Sequence, residues 1–199
     1  MSNSHFFEPN PLSLFEQWKH QAETAGAMRP ESMILATATK TGIPSARVVL
    51  LKQYNDRGFV FFTNLNSRKG RELHENPHAA LCIYWPILEK QIRIEGNVEL
   101  ISENEADNYY RIRPRMFQLN SWASKQSEKL DNIEQLKDRT IHFNTIFTNK
   151  IISRPDFWSG FRLIAQNIEF WSEGTGRMHT RILYTRQSNN NWKTTLLYP

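Results

Sequence analysis

The sequence predicts a mainly β, α+β fold, an antiparallel β-barrel with peripheral helices, in a single domain spanning residues 1–199. Three observations carry this expectation. Runs rich in β-forming residues outnumber helical stretches, they follow one another through short Gly, Pro, Asn and Asp turns, and the first three come before any substantial second helix. The chain is 39% apolar over its 199 residues, enough for one compact core.

The elements follow in order. Asn10 offers an N-cap and Pro11 takes the first helical position, with Phe15, Trp18 and Ala22 at helical spacing behind them. Strands are expected over residues 33–39, 45–54 and 59–64, divided by turn chemistry at Gly42-Ile43-Pro44 and Asn55-Asp56-Arg57-Gly58. A short helix over 68–75 stops at Pro77, and strands resume at 79–85 and 91–101. Ser102-Glu103-Asn104-Glu105 has the capping-box pattern and opens a helix towards Arg111, before Pro114. A longer helix is expected over 126–147, with Leu130, Ile133, Leu136 and Ile141 on one face. Strands at 160–171, 178–186 and 192–197 close the chain, the last two joined by a polar turn at 188–191.

A formal charge of +5 calls for an anionic partner, which leaves nucleic acid, acidic lipid and a phosphorylated small molecule open. The charge is concentrated: residues 45–71 hold six cations (Arg47, Lys52, Arg57, Arg68, Lys69, Arg71) against the single acid Asp56. The longest apolar run is too short to span a membrane, and no signal-peptide pattern is visible. With one cysteine, Cys82, read as core filling, the expectation is a cytoplasmic protein that does not bind membranes.

Two motifs mislead. His74-Glu75-Asn76-Pro77-His78 matches the H-E-x-x-H zinc pattern, but Pro77 would interrupt the helix that must carry both ligands, at a cost of about 3 kcal/mol. No metal site is expected there. Arg57-Gly58-Phe59-Val60-Phe61-Phe62 looks like the start of an RNA-recognition signature, yet the order of elements is wrong for that module. The phenylalanines are expected to pack the barrel interior, and nucleic acid is not expected as partner.

The chemistry lies elsewhere. Arg47 and Lys52 end a strand otherwise suited to burial, and a charge that close to a core needs a partner. Thr63-Asn64 leads through Ser67 into Arg68-Lys69 at a helix start, where hydroxyls, backbone donors and cations suit a phosphate.

These residues carry a resemblance. Arg47-Val48-Val49-Leu50-Leu51-Lys52, Phe62-Thr63-Asn64, Ser67-Arg68-Lys69, Gln91, Tyr109 with Arg113-Pro114, Trp122-Ala123-Ser124-Lys125-Gln126-Ser127, Ile168-Glu169-Phe170-Trp171 and Arg177-Met178-His179-Thr180-Arg181 stand in the chain in that order. Together they resemble the successive motifs of the pyridoxine/pyridoxamine 5'-phosphate oxidase family. The resemblance implies an FMN-binding split β-barrel acting as a homodimer, with flavin held where subunits meet. It implies FMN contacts from Arg47 to Lys52, from Phe62, Thr63, Arg68 and Lys69, and from Gln91, Gln126, Ser127, Trp171 and Arg181. Lys52, Tyr109 and Arg113 would hold the substrate phosphate, while Arg177, Met178 and His179 would meet the pyridine ring, Arg177 and His179 as the catalytic pair. The implied reaction oxidises pyridoxamine or pyridoxine 5'-phosphate to pyridoxal 5'-phosphate by hydride transfer to flavin, with O2 reduced to hydrogen peroxide.

The sequence also departs from the family pattern, mostly on the substrate side. Phe117 stands where the family usually has a serine that helps bind substrate phosphate, so one hydroxyl donor is lost. Asn120 replaces a glycine, Thr180 an acid, Ser159 one glycine of a Trp-Gly-Gly segment, and Phe62 a tyrosine. Two alternatives therefore stay open: a related flavin oxidase of the phenazine-biosynthesis type acting on another reduced substrate, and a non-catalytic flavin-binding module.

Overall fold

The computed structural model describes residues 8–199. Helix α1 (Pro11–Thr24) begins as its cap predicts, the Asn10 side chain accepting from the Leu12 N–H. Nine strands follow: β1 (Ser32–Ala38), β2 (Pro44–Leu50), β3 (Gln53–Asn55), β4 (Gly58–Asn64), β5 (His78–Trp85), β6 (Lys90–Leu100), β7 (Trp158–Ser172), β8 (Thr180–Arg186) and β9 (Trp192–Leu196). Four helices interrupt them: α2 (Arg68–Glu75), α3 (Glu103–Arg111), α4 (Arg115–Ala123) and α5 (Ile133–Ile146).

All strand pairs are antiparallel, and the sheet runs β2-β1-β5-β6-β7-β4-β3, with β8 on β7 and β9 on β8. β2 and β3 thus lie at opposite ends of that order, yet only Leu51 and Lys52 separate them in the chain. The Leu51 N–H donates to Glu31 O beside β1, and the Lys52 N–H donates to Val60 O on β4. Two successive donors pulled to opposite edges curl the sheet into a barrel and break the strand expected over 45–54. Gly96 marks a register shift between β6 and β7, where a Cβ would lie 2.0 Å from Ile164 O.

The barrel interior is filled by Leu35, Phe59, Phe61, Ile92, Ile94, Ile168 and Phe170. α1 lays Phe15, Trp18 and Ala22 against it, with the Trp18 ring edge-on to Phe170 at 5.1 Å and Phe15 edge-on to Phe59 at 5.3 Å. Full burial of such a side chain contributes about 2–3 kcal/mol. Phe59 and Phe61 are inside the barrel, so they offer no face on which a base could stack.

Some expectations need correction. The helix expected over 126–147 is shorter, because Asn132 caps it by accepting from the Gln135 N–H. Leu130, Ile133 and Ile141 are exposed and form no buried face. A separate helix, α4, occupies Arg115–Ala123. Cys82 is not core filling: it pairs with exposed Ile34 on the outward face, between the buried Leu81 and Ile83, and is half-buried. Burial there pushes its thiol pKa up, away from reactivity. His74 sits in the last turn of α2 and His78 starts β5, with Pro77 between them. No described helix is long and apolar enough to cross a membrane.

Candidate functional site

Beside the seam joining β2 to β3, the chain leaves a cleft of about 830 Å³. Residues 47–50 and Lys52 form one wall, Phe62, Thr63 and Asn64 at the end of β4 another, and α3 and α4 with their connection a third. Arg47, Val48, Val49, Leu50, Lys52, Phe62, Thr63, Lys69, Tyr109, Arg113 and Gln126 all line it. Leu51 does not, because its side chain is buried in the main core.

The cations at the α2 end are organised by a carboxylate. Glu72 is buried, and its Oε2 accepts from Thr37 and Ser45 hydroxyls at 2.5 Å each, while Oε1 accepts from Arg68 Nε at 2.8 Å. Arg47 Nη2 lies 3.4 Å from the same carboxylate, and Arg47 Nη1 donates to Thr37 Oγ1 at 2.5 Å and Leu35 O at 3.2 Å. Burial alone would raise the Glu72 pKa, but the hydroxyl and Arg68 hydrogen bonds outweigh it and hold the group down at about 2. Arg47 and Lys69 line this end of the cleft, while Arg68, which pairs with the same acid, lies outside its lining; three cations against one carboxylate leave a surplus of two positive charges beside the cleft, which suits an anion.

Lys69 is the member of that set with no ion pair among the described residues. Its Nζ donates to Gln126 Oε1 at 3.0 Å and to the Thr63 and Ser67 hydroxyls at 3.3 Å. Burial, aided by Arg47, lowers its pKa to about 8. Next to it, Ser127, at φ +75°, accepts from the Arg68 N–H at 3.1 Å, while Ser67 caps α2 through the Gly70 N–H. Gly70 lets this helix start close to the preceding loop, since a Cβ would meet Leu65 O at 2.2 Å.

At the α3–α4 end, aromatic rings replace acids. Phe62, Tyr109 and Trp158 lie nearly parallel, with Phe62 3.9 Å from Tyr109 and 5.3 Å from Trp158. The Arg113 guanidinium lies 4.4 Å from the Trp158 ring centroid, and Nη1 donates to Ser121 Oγ at 2.7 Å. Among the described residues Arg113 has no carboxylate partner, and burial lowers its pKa. A half-buried cation without a counter-charge suits an anionic ligand.

The remaining site residues form a second group. Gln91 on β6, Trp171 on β7 and Arg181 on β8 are consecutive register partners, giving a row across three strands. Glu169, buried, accepts from Arg181 Nε at 2.9 Å and Nη2 at 3.1 Å. His179 lies 4.8 Å from Trp171, and its Nδ1 accepts from the Gly174 N–H at 3.3 Å, while Nε2 has no hydrogen-bond partner among the described residues. Arg177 and Met178 are exposed. Arg177 stands at φ +65° in a turn, so residues 177–179 precede β8 instead of extending it as expected. None of this group lines the cleft.

Sequence reasoning missed four supporting residues: Glu72, Glu169, Trp158 and Ser121. Glu72 carried one signal, its i,i+4 spacing from Arg68.

Comparison with known proteins identifies the frame. Residues 20–146 match the family model described as pyridoxamine 5'-phosphate oxidase, and residues 158–199 match the pyridoxine 5'-phosphate oxidase C-terminal dimerisation region. The chain belongs to the pyridoxamine 5'-phosphate oxidase family. It is 47% identical to the pyridoxine/pyridoxamine 5'-phosphate oxidase of Ehrlichia chaffeensis, over 96% of this chain and 98% of that one. It is 44% identical to the protein of the same name from Rubrobacter xylanophilus, over 96% and 88%. Among solved structures, PhzG of Burkholderia lata in complex with tetrahydrophenazine-1-carboxylic acid superposes with TM-score 0.92 at 34% identity, covering 100% of this chain and 97% of that one. A pyridoxamine 5'-phosphate oxidase-related, FMN-binding protein of Nostoc punctiforme shares the split-barrel fold at TM-score 0.75 and 16% identity, over 94% and 96%. Within the family frame, the row of Gln91, Trp171 and Arg181 falls partly in the dimerisation region, which begins at residue 158.

Proposed function

We propose that this chain is an FMN-dependent oxidase that converts pyridoxamine 5'-phosphate or pyridoxine 5'-phosphate to pyridoxal 5'-phosphate, working as a homodimer. The observation that carries the reading is one cleft with two cationic ends, each suited to a phosphate. Arg47, Arg68 and Lys69, with Thr63 and the Gln126-Ser127 pair, hold the FMN phosphate, and their surplus of two positive charges fits that dianion. Arg113, with Tyr109 and Lys52, holds the substrate phosphate. FMN, when bound, supplies the hydride acceptor and passes the electrons to O2, giving hydrogen peroxide.

The protein's own part is binding and orientation. Residues 47–50 and Phe62 wall the flavin from water, and the two anchored phosphates fix the mutual position of the reacting rings. The Gln91, Trp171 and Arg181 row, together with Arg177, Met178 and His179, reaches the cleft of the second subunit. The match of residues 158–199 to a dimerisation region supports this sharing. Arg177 and His179 then act at the substrate ring, His179 through the Nε2 that its Gly174 contact leaves available. Such an enzyme works in the reducing cytoplasm, where its one cysteine stays a thiol.

A second reading keeps the flavin and changes the substrate. Ile112, Pro114 and Phe117 give the cleft an apolar lip, and PhzG was solved with a reduced phenazine carboxylate. Anaerobic addition of substrate to the yellow holoprotein separates the two. Bleaching of the flavin by pyridoxamine or pyridoxine 5'-phosphate is the expected result. Bleaching by a reduced phenazine carboxylate alone would move the assignment to the second reading, and a protein that takes up no FMN would remove both.

A further inference from the structure

Phe117 stands where the resemblance set out above implies a serine hydroxyl, and the residue is 54% exposed at the cleft lip. One helical turn later, on the same face of α4, stands Ser121. Ser121 is buried and lines the same cleft. Its Oγ donates to Phe117 O at 2.8 Å and accepts from Arg113 Nη1 at 2.7 Å. We propose that Ser121 is the positioning residue for Arg113 at the substrate-phosphate end of the cleft, offsetting the phosphate donor missing at position 117 indirectly, through the arginine it holds. The inference rests on the functional reading above and deepens it.

Geometry decides how Ser121 acts. Its single proton is committed to Phe117 O, so it does not donate to an anion and works through the arginine. The guanidinium is then held at two places, by the hydroxyl at Nη1 and by the Trp158 ring 4.4 Å away. Arg113 keeps its Nε and Nη2 donors for the phosphate, since they have no hydrogen-bond partner among the described residues. A long, flexible side chain with no carboxylate to anchor it loses less freedom on binding when it is already fixed in this way.

The test is steady-state kinetics of the holoenzyme with pyridoxamine 5'-phosphate and with the phosphate-free pyridoxamine. Ser121→Ala should raise KM for the phosphorylated substrate about 10-fold, the scale of a hydrogen bond to a charged group, with kcat changed less than about twofold. KM for pyridoxamine should not move, and Ser121→Thr should restore the wild-type value. Phe117→Ser alone should change KM little, because the prepositioned Arg113 already holds the phosphate, but in the Ser121→Ala background the direct donor it adds should recover much of the loss. An unchanged KM in Ser121→Ala, or an equal rise for both substrates, overturns the inference while wild-type bleaching by pyridoxamine 5'-phosphate leaves the functional reading standing. A wild type that bleaches with neither phosphorylated substrate overturns both.

Discussion

Glu72 is the clearest place to test the electrostatics of the cleft. In Glu72→Gln the shape is kept, and Thr37 and Ser45 can still donate to the amide oxygen, but the charge that faces Arg68 and Arg47 is gone. The carboxyl is held at about 2 against an ordinary value of 4.5, and at about 1.4 kcal/mol per unit this corresponds to about 3 kcal/mol favouring the charged, folded form. Because the folded-state pKa is depressed, the contribution is complete above about pH 4.5 and is lost as pH falls towards 2. Urea denaturation of the FMN-free protein should therefore find the variant about 3 kcal/mol less stable at pH 7 and only about 1 kcal/mol less stable at pH 3. A variant within 1 kcal/mol of wild type at pH 7, or a gap that is the same at both pH values, would refute the reasoning.

Lys69, with its pKa lowered to about 8, should make FMN affinity fall above pH 8 as the ammonium loses its proton, a limb separate from the loss below about pH 6 that protonation of the phosphate dianion brings. Lys69→Met should lower affinity at pH 7 by roughly 10- to 100-fold and flatten the upper limb; flavin fluorescence quenching reads both. Mixing Arg113→Ala subunits with His179→Ala subunits should restore activity that neither variant has alone, because the mixed dimer carries one intact cleft; no recovery after subunit exchange would place both groups in one subunit's site. Gly70→Ala should cost about 1–3 kcal/mol, seen as a fall in Tm, because its Cβ would press on Leu65 O at 2.2 Å.

Much of the fold was legible because local chemistry and tertiary structure agree. Asn10 and the capping box of Ser102 and Glu105 start α1 and α3 where their side chains say they should. Helix α4 was hidden because Pro114 precedes it without a side-chain cap, and because Met116 and Phe117 are exposed while Leu119 and Ala123 are buried, which blurs the apolar period. The apolar residues of α5 misled in the opposite way: Ile133 and Ile141 keep helical spacing but stay uncovered in the protomer. In the candidate site, the cations announced themselves by concentration between Arg47 and Lys69. The groups that aim them were harder to see: Glu72 shows only its i,i+4 spacing from Arg68, while its contact with Arg47, and those of Glu169 with Arg181 and of Ser121 with Arg113, are created by folding. Nor could spacing alone reveal that Gln91, Trp171 and Arg181 would share a row away from the cleft.

The two-residue link at Leu51 and Lys52 has a kinetic consequence. Val60, the acceptor for Lys52, belongs to a strand that is itself pinned by β7, about a hundred residues further along the chain. Lys52 and Val60 themselves are neighbours in the local β3–β4 hairpin, so it is the β4–β7 pairing that closes the barrel late, and the cleft between Arg47, Lys52 and Phe62 takes its final shape only then. A ligand gripping these residues then finds nothing to hold in the folding transition state. It should leave the refolding rate almost untouched and act as a brake on unfolding, which makes cofactor saturation a determinant of how long each molecule survives.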